Sequence, residues 1–278
     1  MWSMAGTEAE LPYNIRPDAF AGTARYYTRY RLPYPDVLMD DLRMRTGITG
    51  KGRLLDLGTG PGRVALPLAS FFDAVWAVDL EPEMIDVGRE ESTRLGFTNI
   101  RWLVGRAEDV DAPPCHFELI TIGEAFHRLD QPLILKRALE WLPSGRFLVT
   151  MGGSFFKGPE PWKTALREAE GRWKGRITTG QSVGGKVADP PRGPSHNRDV
   201  MQAAGFADVG DYEFTVPHVW DLDSVIGCLY SSSVCSRHAL GDRASDFGAD
   251  IRRALLACDP RGEYPDVLQF GYTLARRP

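Results

Sequence analysis

Three glycines alternate with other residues in Gly58-Thr59-Gly60-Pro61-Gly62, directly after the apolar run Leu54-Leu55-Asp56-Leu57. A glycine has no Cβ, so such a loop can turn tightly and let a ligand lie against its backbone N–H groups. A second acid, Asp79, closes the next apolar run, Ala74-Val75-Trp76-Ala77-Val78. A carboxylate at that place suits the hydroxyls of a ribose. Val64, Leu68 and Phe71 then fall at helix-compatible spacing. An apolar strand, a glycine loop, a helix and a later acid together predict a nucleoside-bearing ligand at the first strand–helix turn of an α/β sheet.

The spacing selects among nucleosides. A dinucleotide fingerprint reads G-x-G-x-x-G and passes a pyrophosphate over a helix N-terminus. Here the glycines read G-x-G-x-G, and Asp56 stands two residues before the first. This pattern resembles motif I of the class I S-adenosylmethionine (SAM)-dependent methyltransferases. The resemblance implies that the loop Gly58, Thr59, Gly60 and Gly62 faces the carboxylate of SAM. It also implies that Asp56 supports the amino end and that Asp79 accepts from the ribose hydroxyls.

Three further segments agree. Val104-Gly105-Arg106-Ala107-Glu108-Asp109 resembles the family's adenine-lining segment, which implies cofactor contacts at Arg106, Ala107 and Glu108. Leu80 and Met84 are then expected against the adenine face. Gly123-Glu124-Ala125-Phe126-His127-Arg128-Leu129-Asp130 resembles the G-[QE]-A-F-H-W-x-D segment of the small-molecule "type 11" methyltransferases, with Arg128 at the tryptophan position. It implies Gly123 and Ala125 at the cofactor and two catalytic candidates, His127 as a general base and Glu124 near the methyl group. The run Ala24-Arg25-Tyr26-Tyr27-Thr28-Arg29-Tyr30-Arg31-Leu32-Pro33-Tyr34-Pro35 resembles the same family's Y-x-x-Y-R-P-x-Y-P segment. Tyr27 offers a ring face to a sulfonium cation, and Arg31 a partner for the methionine carboxylate.

These residues need a frame. Strands alternate with helices from about 51 to 151, which predicts a parallel sheet with right-handed crossovers. Pro82 suits the first turn of a helix carrying Met84, Val87, Gly88, Glu91 and Leu95. Strands are expected over 99–104, 117–122 and 145–151, and Asp130 is expected to cap a helix bearing Ile134, Ala138, Trp141 and Leu142. Pro67 falls inside the helix after the glycine loop and predicts a kink or irregular turn there. Farther on, a helix over 161–173, a long loop over 177–197, a helix over 199–204 and a strand over 208–216 are read. Helices around 224–230 and 247–257 and a last strand over 266–274 complete the chain. The resemblance implies an α/β, Rossmann-like three-layer sandwich. Its seven-stranded, mostly parallel sheet has the order 3-2-1-4-5-7-6, with inserted lid helices. One methyltransferase domain is expected over 1–278: a cap (1–45), a SAM-binding core (46–152), a lid insertion (153–196) and the C-terminal part of the core (197–278).

The 278 residues, 43% hydrophobic and 25% charged, are ordinary for a globular protein. A net charge of −4 lacks the basic footprint usual in nucleic-acid binders. Cys115, Cys228, Cys235 and Cys258 show no metal or disulfide spacing, so no metal is expected and a reducing cytoplasm is. No apolar stretch approaches the ~20 residues of a membrane span, and the first residues lack a signal-peptide pattern. Asp189-Pro190-Pro191-Arg192 superficially resembles a base-amine methyltransferase motif but stands in the wrong loop. The expected activity is SAM-dependent methylation of a small molecule. Because Glu124 places a carboxylate near the methyl, and Asp221 and Asp223 are expected nearby, N-methylation of an amine-bearing secondary metabolite is preferred. Antibiotic biosynthesis is an associated setting. The alternative is O-methylation of a hydroxyl or carboxylate. Remoter readings are a nucleic-acid methyltransferase, a nicotinamide dehydrogenase and a non-catalytic SAM-binding protein. A monomer or homodimer without nucleic-acid or membrane partners is expected.

Overall fold

A computed structural model describes residues 20–173 and 193–278. The expected lid loop therefore lies almost wholly outside the described residues, as do Asp189-Pro190-Pro191-Arg192 and the first 19 residues. Seven strands form one sheet in the order 3-2-1-4-5-7-6, as expected. They are β1 (Arg53–Leu57), β2 (Ala74–Asp79), β3 (Ile100–Val104), β4 (Leu119–Gly123), β5 (Phe147–Ser154), β6 (Ala207–Asp221) and β7 (Glu263–Arg276). The first five pair in parallel, and β7 runs antiparallel between β5 and β6.

The period-2 rule assigns the core. In β1, Leu54 packs into one cluster, while Leu55 and Leu57 pack into another on the opposite face. In β4, Leu119 joins the first cluster and Ile120 and Ile122 the second. The runs read as continuously apolar because both faces are covered.

The helices follow local signals. Pro67 cannot donate a backbone hydrogen bond, and the helix after the loop, α3 (Ala65–Leu68), passes into a 3₁₀ turn (Ala69–Phe71). Pro82 opens α4 (Pro82–Arg94). Gly88 of α4 admits the Trp102 ring, whose atoms lie 2.4 Å from where a Cβ would stand. Asp130 caps α5 (Gln131–Trp141) by accepting from the Leu133 N–H. The N-terminal helices are α1 (Ala24–Tyr30) and α2 (Asp36–Thr46).

The second half departs from expectation at several element ends, and β7 begins at Glu263 rather than 266. The helix expected from 199 begins at Pro194, as α7 (Pro194–Ala203), so 194–197 are helical rather than loop. Proline at the first helical position explains the earlier start. The strand expected to stop at 216 runs through Pro217 to Asp221. β6 is the edge strand, where a missing N–H costs nothing in the ladder. β5 starts at Phe147 rather than Gly145, which sits in the turn at φ +82°.

Helix α6 (Pro161–Trp173), within the expected lid insertion, packs into the body of the domain. Trp162, Leu166, Ala169 and Trp173 are buried in the main core, with α10 (Ala244–Cys258) and the paired strands β6 and β7. Lys163, 1% exposed, donates to Asp266 Oδ1 (2.5 Å) and to the Lys157 carbonyl (2.8 Å). Trp220 Nε1 donates to the other Asp266 oxygen at 3.0 Å. Between the last two strands lie α8 (Leu222–Tyr230), α9 (Arg237–Leu240) and α10. Tyr30 of α1 lies on α8 at Gly227, 2.3 Å from where a Cβ would stand, so α1 is held against the body of the domain.

Candidate active site

The glycine loop joins β1 to α3. Gly58 takes φ +66°, and a Cβ there would lie 2.4 Å from the Ala125 Cβ. Glycine therefore lets the ends of β1 and β4 approach each other. Gly62, at φ +92°, would strike Trp102 and Leu66 at 2.7 and 2.9 Å. Beneath the loop, Asp56 is 1% exposed and accepts from Thr59 Oγ1 (2.6 Å) and Thr121 Oγ1 (2.7 Å). It ties loop to sheet and does not line the cavity described below.

Burial raises the Asp56 pKa to about 6, against the lowering effect of both threonine hydroxyls. Its contribution to stability is thus full below pH ~4 and is lost as pH rises through about 6. Asp56→Asn should gain on the wild type by roughly 2–3 kcal/mol between pH 4 and 7, read as the difference of their unfolding free energies. A difference independent of pH would contradict this.

A cavity of about 240 Å³ opens at the C-terminal ends of β1, β2 and β4. Its volume far exceeds the ~30 Å³ share of one water, so it is ligand-sized. Gly58, Gly60, Asp79, Leu80, Met84, Arg106, Ala107, Glu108, Gly123, Glu124, Ala125 and Tyr27 line it. These twelve were all singled out from sequence. Asp79 is held by two backbone donors: Gly60 N–H to Oδ2 (2.8 Å) and Glu81 N–H to Oδ1 (2.9 Å). Each oxygen keeps a lone pair for a ligand hydroxyl. Burial raises the Asp79 pKa, while those N–H groups and Arg128 oppose the rise. The Ala107 N–H opens a 3₁₀ turn (Ala107–Asp109), where first-turn donors have no partner within the turn. Glu108 accepts from the Asp130 N–H (2.9 Å) and pairs with Arg106 (3.6 Å).

A nucleoside with an amino-acid tail fits this lining. A Cβ at Gly105 would meet nothing within 4 Å, leaving the wall open to a flat group, and Leu80, Met84 and Val78 supply apolar contact.

At the far end, Glu124 adopts φ +53°. That conformation costs a non-glycine residue about 1–3 kcal/mol and persists only where the surroundings fix it. Here the Glu124 N–H donates to the Met151 carbonyl (2.8 Å), and its Oε1 accepts from the Gly153 N–H (3.2 Å). Oε2 faces Arg63 (3.3 Å) and Arg31 (3.8 Å). Arg63 also donates to the Leu32 carbonyl and lies over the Tyr34 ring, 4.8 Å from its centroid. Burial, then the charge of Glu124, raises the Tyr27 and Tyr34 pKa values, so both phenols stay neutral.

Five expected site residues lie outside the lining. Asp56, Thr59 and Gly62 build the loop from beneath. Arg31 stands behind Glu124, bonded to Ser231 Oγ at 2.9 Å. His127 sits half-buried on a 3₁₀ turn (Phe126–Arg128) and is not among the lining residues. Six lining residues were not assigned from sequence: Phe20, Val78, Glu81, Gly105, Arg128 and Leu129. Arg128 covers the Phe20 ring at 4.5 Å, so together they roof the cavity where relatives carry tryptophan. That departure from the motif was the available signal.

Comparison with known proteins agrees with this geometry. Residues 54–145 match a family model described as a methyltransferase domain. The uncharacterized methyltransferase YcgJ of Bacillus subtilis is 30% identical over 99 residues, 35% of this chain and 39% of YcgJ. The crystal structure of YcgJ superposes with a TM-score of 0.56 at 15% identity, covering 88% of this chain and 100% of that one. Ribosomal RNA small subunit methyltransferase G of Deinococcus radiodurans is 36% identical over 141 residues, 47% of this chain and 51% of that protein. Phosphoethanolamine N-methyltransferase 2 of Haemonchus contortus, solved with S-adenosyl-L-methionine, gives a TM-score of 0.52 at 14% identity, covering 94% of this chain and 56% of that one. The solved structures share the fold, and this chain spans about half the length of the first curated relatives it matches. Residues 54–145 thus match a methyltransferase domain, and the chain has the fold of the class I S-adenosylmethionine-dependent methyltransferases, the family its motifs resemble.

Proposed function

We propose that the chain, as one domain over 1–278, transfers a methyl group from SAM to a small molecule. The observation that carries this is the cavity itself. It runs from the Asp79 carboxylate and the Ala107 turn at one end to Gly123, Glu124 and Tyr27 at the other. When bound, SAM supplies an electrophilic methyl on a sulfonium centre. Asp79 would fix the nucleoside through its hydroxyls, Leu80, Met84 and Val78 would hold its faces, and the glycine loop would receive the amino-acid tail. Tyr27 and the end of β4 enclose the reactive end and keep water from it.

The amine acceptor preferred from sequence depends on Glu124 offering an unopposed carboxylate. In the structure Arg63 and Arg31 face that carboxylate, which leaves a cationic acceptor little to bind. Asp223 is engaged by Arg252 at 2.6 Å, and Asp221 caps α8. We therefore carry the alternative, transfer to oxygen. His127 as general base is the part of the expectation that the geometry supports least. His127→Ala should lower kcat less than threefold, whereas an obligate base would cost roughly 10²–10⁴.

Incubation with [methyl-³H]SAM and a cell extract, followed by size fractionation, tests the reading. Label should enter the small-molecule fraction. Label confined to protein or RNA would overturn a small-molecule acceptor.

A further inference from the structure

The reactive end carries a surplus of positive charge. Glu124 is one negative group, and the guanidiniums of Arg63 and Arg31 facing it are two positive ones. All three are mostly buried, with side chains 12–19% exposed, so the surplus is weakly screened. SAM brings a sulfonium, an ammonium and a carboxylate, which adds one further positive charge. An acceptor entering this space meets a cationic environment whichever guanidinium the methionine carboxylate touches.

The donors are not used up. Arg31 spends its Nε on Ser231 Oγ, and its terminal nitrogens have only the 3.8 Å ion pair with Glu124 among the described residues. Three buried polar atoms have no hydrogen-bond partner among the described residues: Arg63 Nε and Tyr34 Oη, beside Glu124 and Gly123, and Ser154 Oγ at the end of β5. Tyr34 is 5% exposed and packs against Gly123, its hydroxyl 3.2 Å from where a Cβ would stand. Ser154 follows Gly153, whose N–H holds Glu124. Buried polar atoms are seldom left unpaired, so these atoms beside the terminal-nitrogen edge of Arg31, whose guanidinium also lies over the Tyr27 ring at 5.5 Å, mark a place for an acceptor-rich ligand. Phe155 forms an apolar wall, its ring centroid 5.9 Å from the Arg31 guanidinium.

On this basis, and resting on the methyl-transfer reading above, we propose that the acceptor is a small carboxylic acid held as its carboxylate by Arg31. A carboxylate's two oxygens match the guanidinium fork. It is ionised at neutral pH, so it needs no general base, in accord with a cavity that His127 does not line. One carboxylate oxygen takes the methyl with its own electron pair as the methyl–sulfur pair returns to sulfur. One negative and one positive charge vanish together, a methyl ester forms, and no proton moves. Arg31 is then an acceptor-binding residue rather than a partner of the methionine carboxylate. Its place behind Glu124, outside the cofactor cavity, agrees.

The tritium-labelled small-molecule fraction decides the matter. A methyl ester releases volatile [³H]methanol in mild alkali, whereas an N-methyl amine or an aryl methyl ether does not. The expected result is alkali-labile label, with Arg31→Gln raising KM for the acceptor at least tenfold. SAM affinity of Arg31→Gln, measured by calorimetry, should stay within threefold of wild type. Alkali-stable label in the small-molecule fraction overturns the carboxylate acceptor while leaving the methyltransferase reading intact. A tenfold loss of SAM affinity in Arg31→Gln overturns the role given to Arg31. Label in macromolecules alone, or in no fraction, defeats the reading beneath the proposal and the proposal with it.

Discussion

Asp79→Ala should weaken SAM binding by about 1.5–3 kcal/mol, a rise in Kd of roughly 10- to 150-fold. Both oxygens of Asp79 are pinned by a backbone N–H, from Gly60 and Glu81. Its removal takes away the ligand's hydroxyl acceptors and also frees the Gly60 N–H that positions the loop. Asp79→Asn keeps the shape and one acceptor and should fall between alanine and wild type. Isothermal titration with SAM measures the effect. An unchanged Kd for the alanine variant would remove Asp79 from the cofactor site.

The largest effect on stability is expected at Lys163. Its ammonium and the Asp266 carboxylate are each only 2% exposed, and Trp220 donates to the second carboxylate oxygen. Lys163→Ala strands that carboxylate in the core and should cost about 3–5 kcal/mol, because an uncompensated buried charge is left behind. The solvent-facing Arg94–Glu91 pair on α4, at 2.5 Å, should contribute far less than the buried pair despite its short distance. Urea unfolding of Lys163→Ala and Arg94→Ala compares the two directly. A loss below 1 kcal/mol for Lys163→Ala would show that the pair is not the anchor of α6.

That anchor was not legible in the sequence. Trp162, Leu166, Ala169 and Trp173 announce an amphipathic helix, but periodicity does not name the surface that covers it. The covering surface is α10 and the paired strands β6 and β7, the nearest of which begins 34 residues after the helix ends. The cofactor end was more legible because its residues are local. The loop, Asp79, Leu80 and Met84 fall within one strand–loop–strand–helix stretch, and the end of β4 supplies Gly123 to Ala125 in one piece. Glu124 was expected near the methyl group as a carboxylate, and the structure sets two guanidiniums against it. Its partners Arg63 and Arg31 lie 61 and 93 positions away, and only the folded sheet brings them to it. Arg128 and Phe20 escaped assignment for the same reason, since each becomes a cavity wall only by stacking on the other. Pro217 stands just past the expected end of β6, whose position at the sheet edge was needed to see that a strand tolerates it.

Calorimetric titration of the full chain with SAM and, separately, with NAD tests the central claim most directly. The glycine spacing, the paired backbone donors on Asp79 and the enclosed end at Glu124 and Tyr27 predict one SAM site with a Kd of order micromolar and no heat from NAD. Binding of NAD with none of SAM would contradict the account.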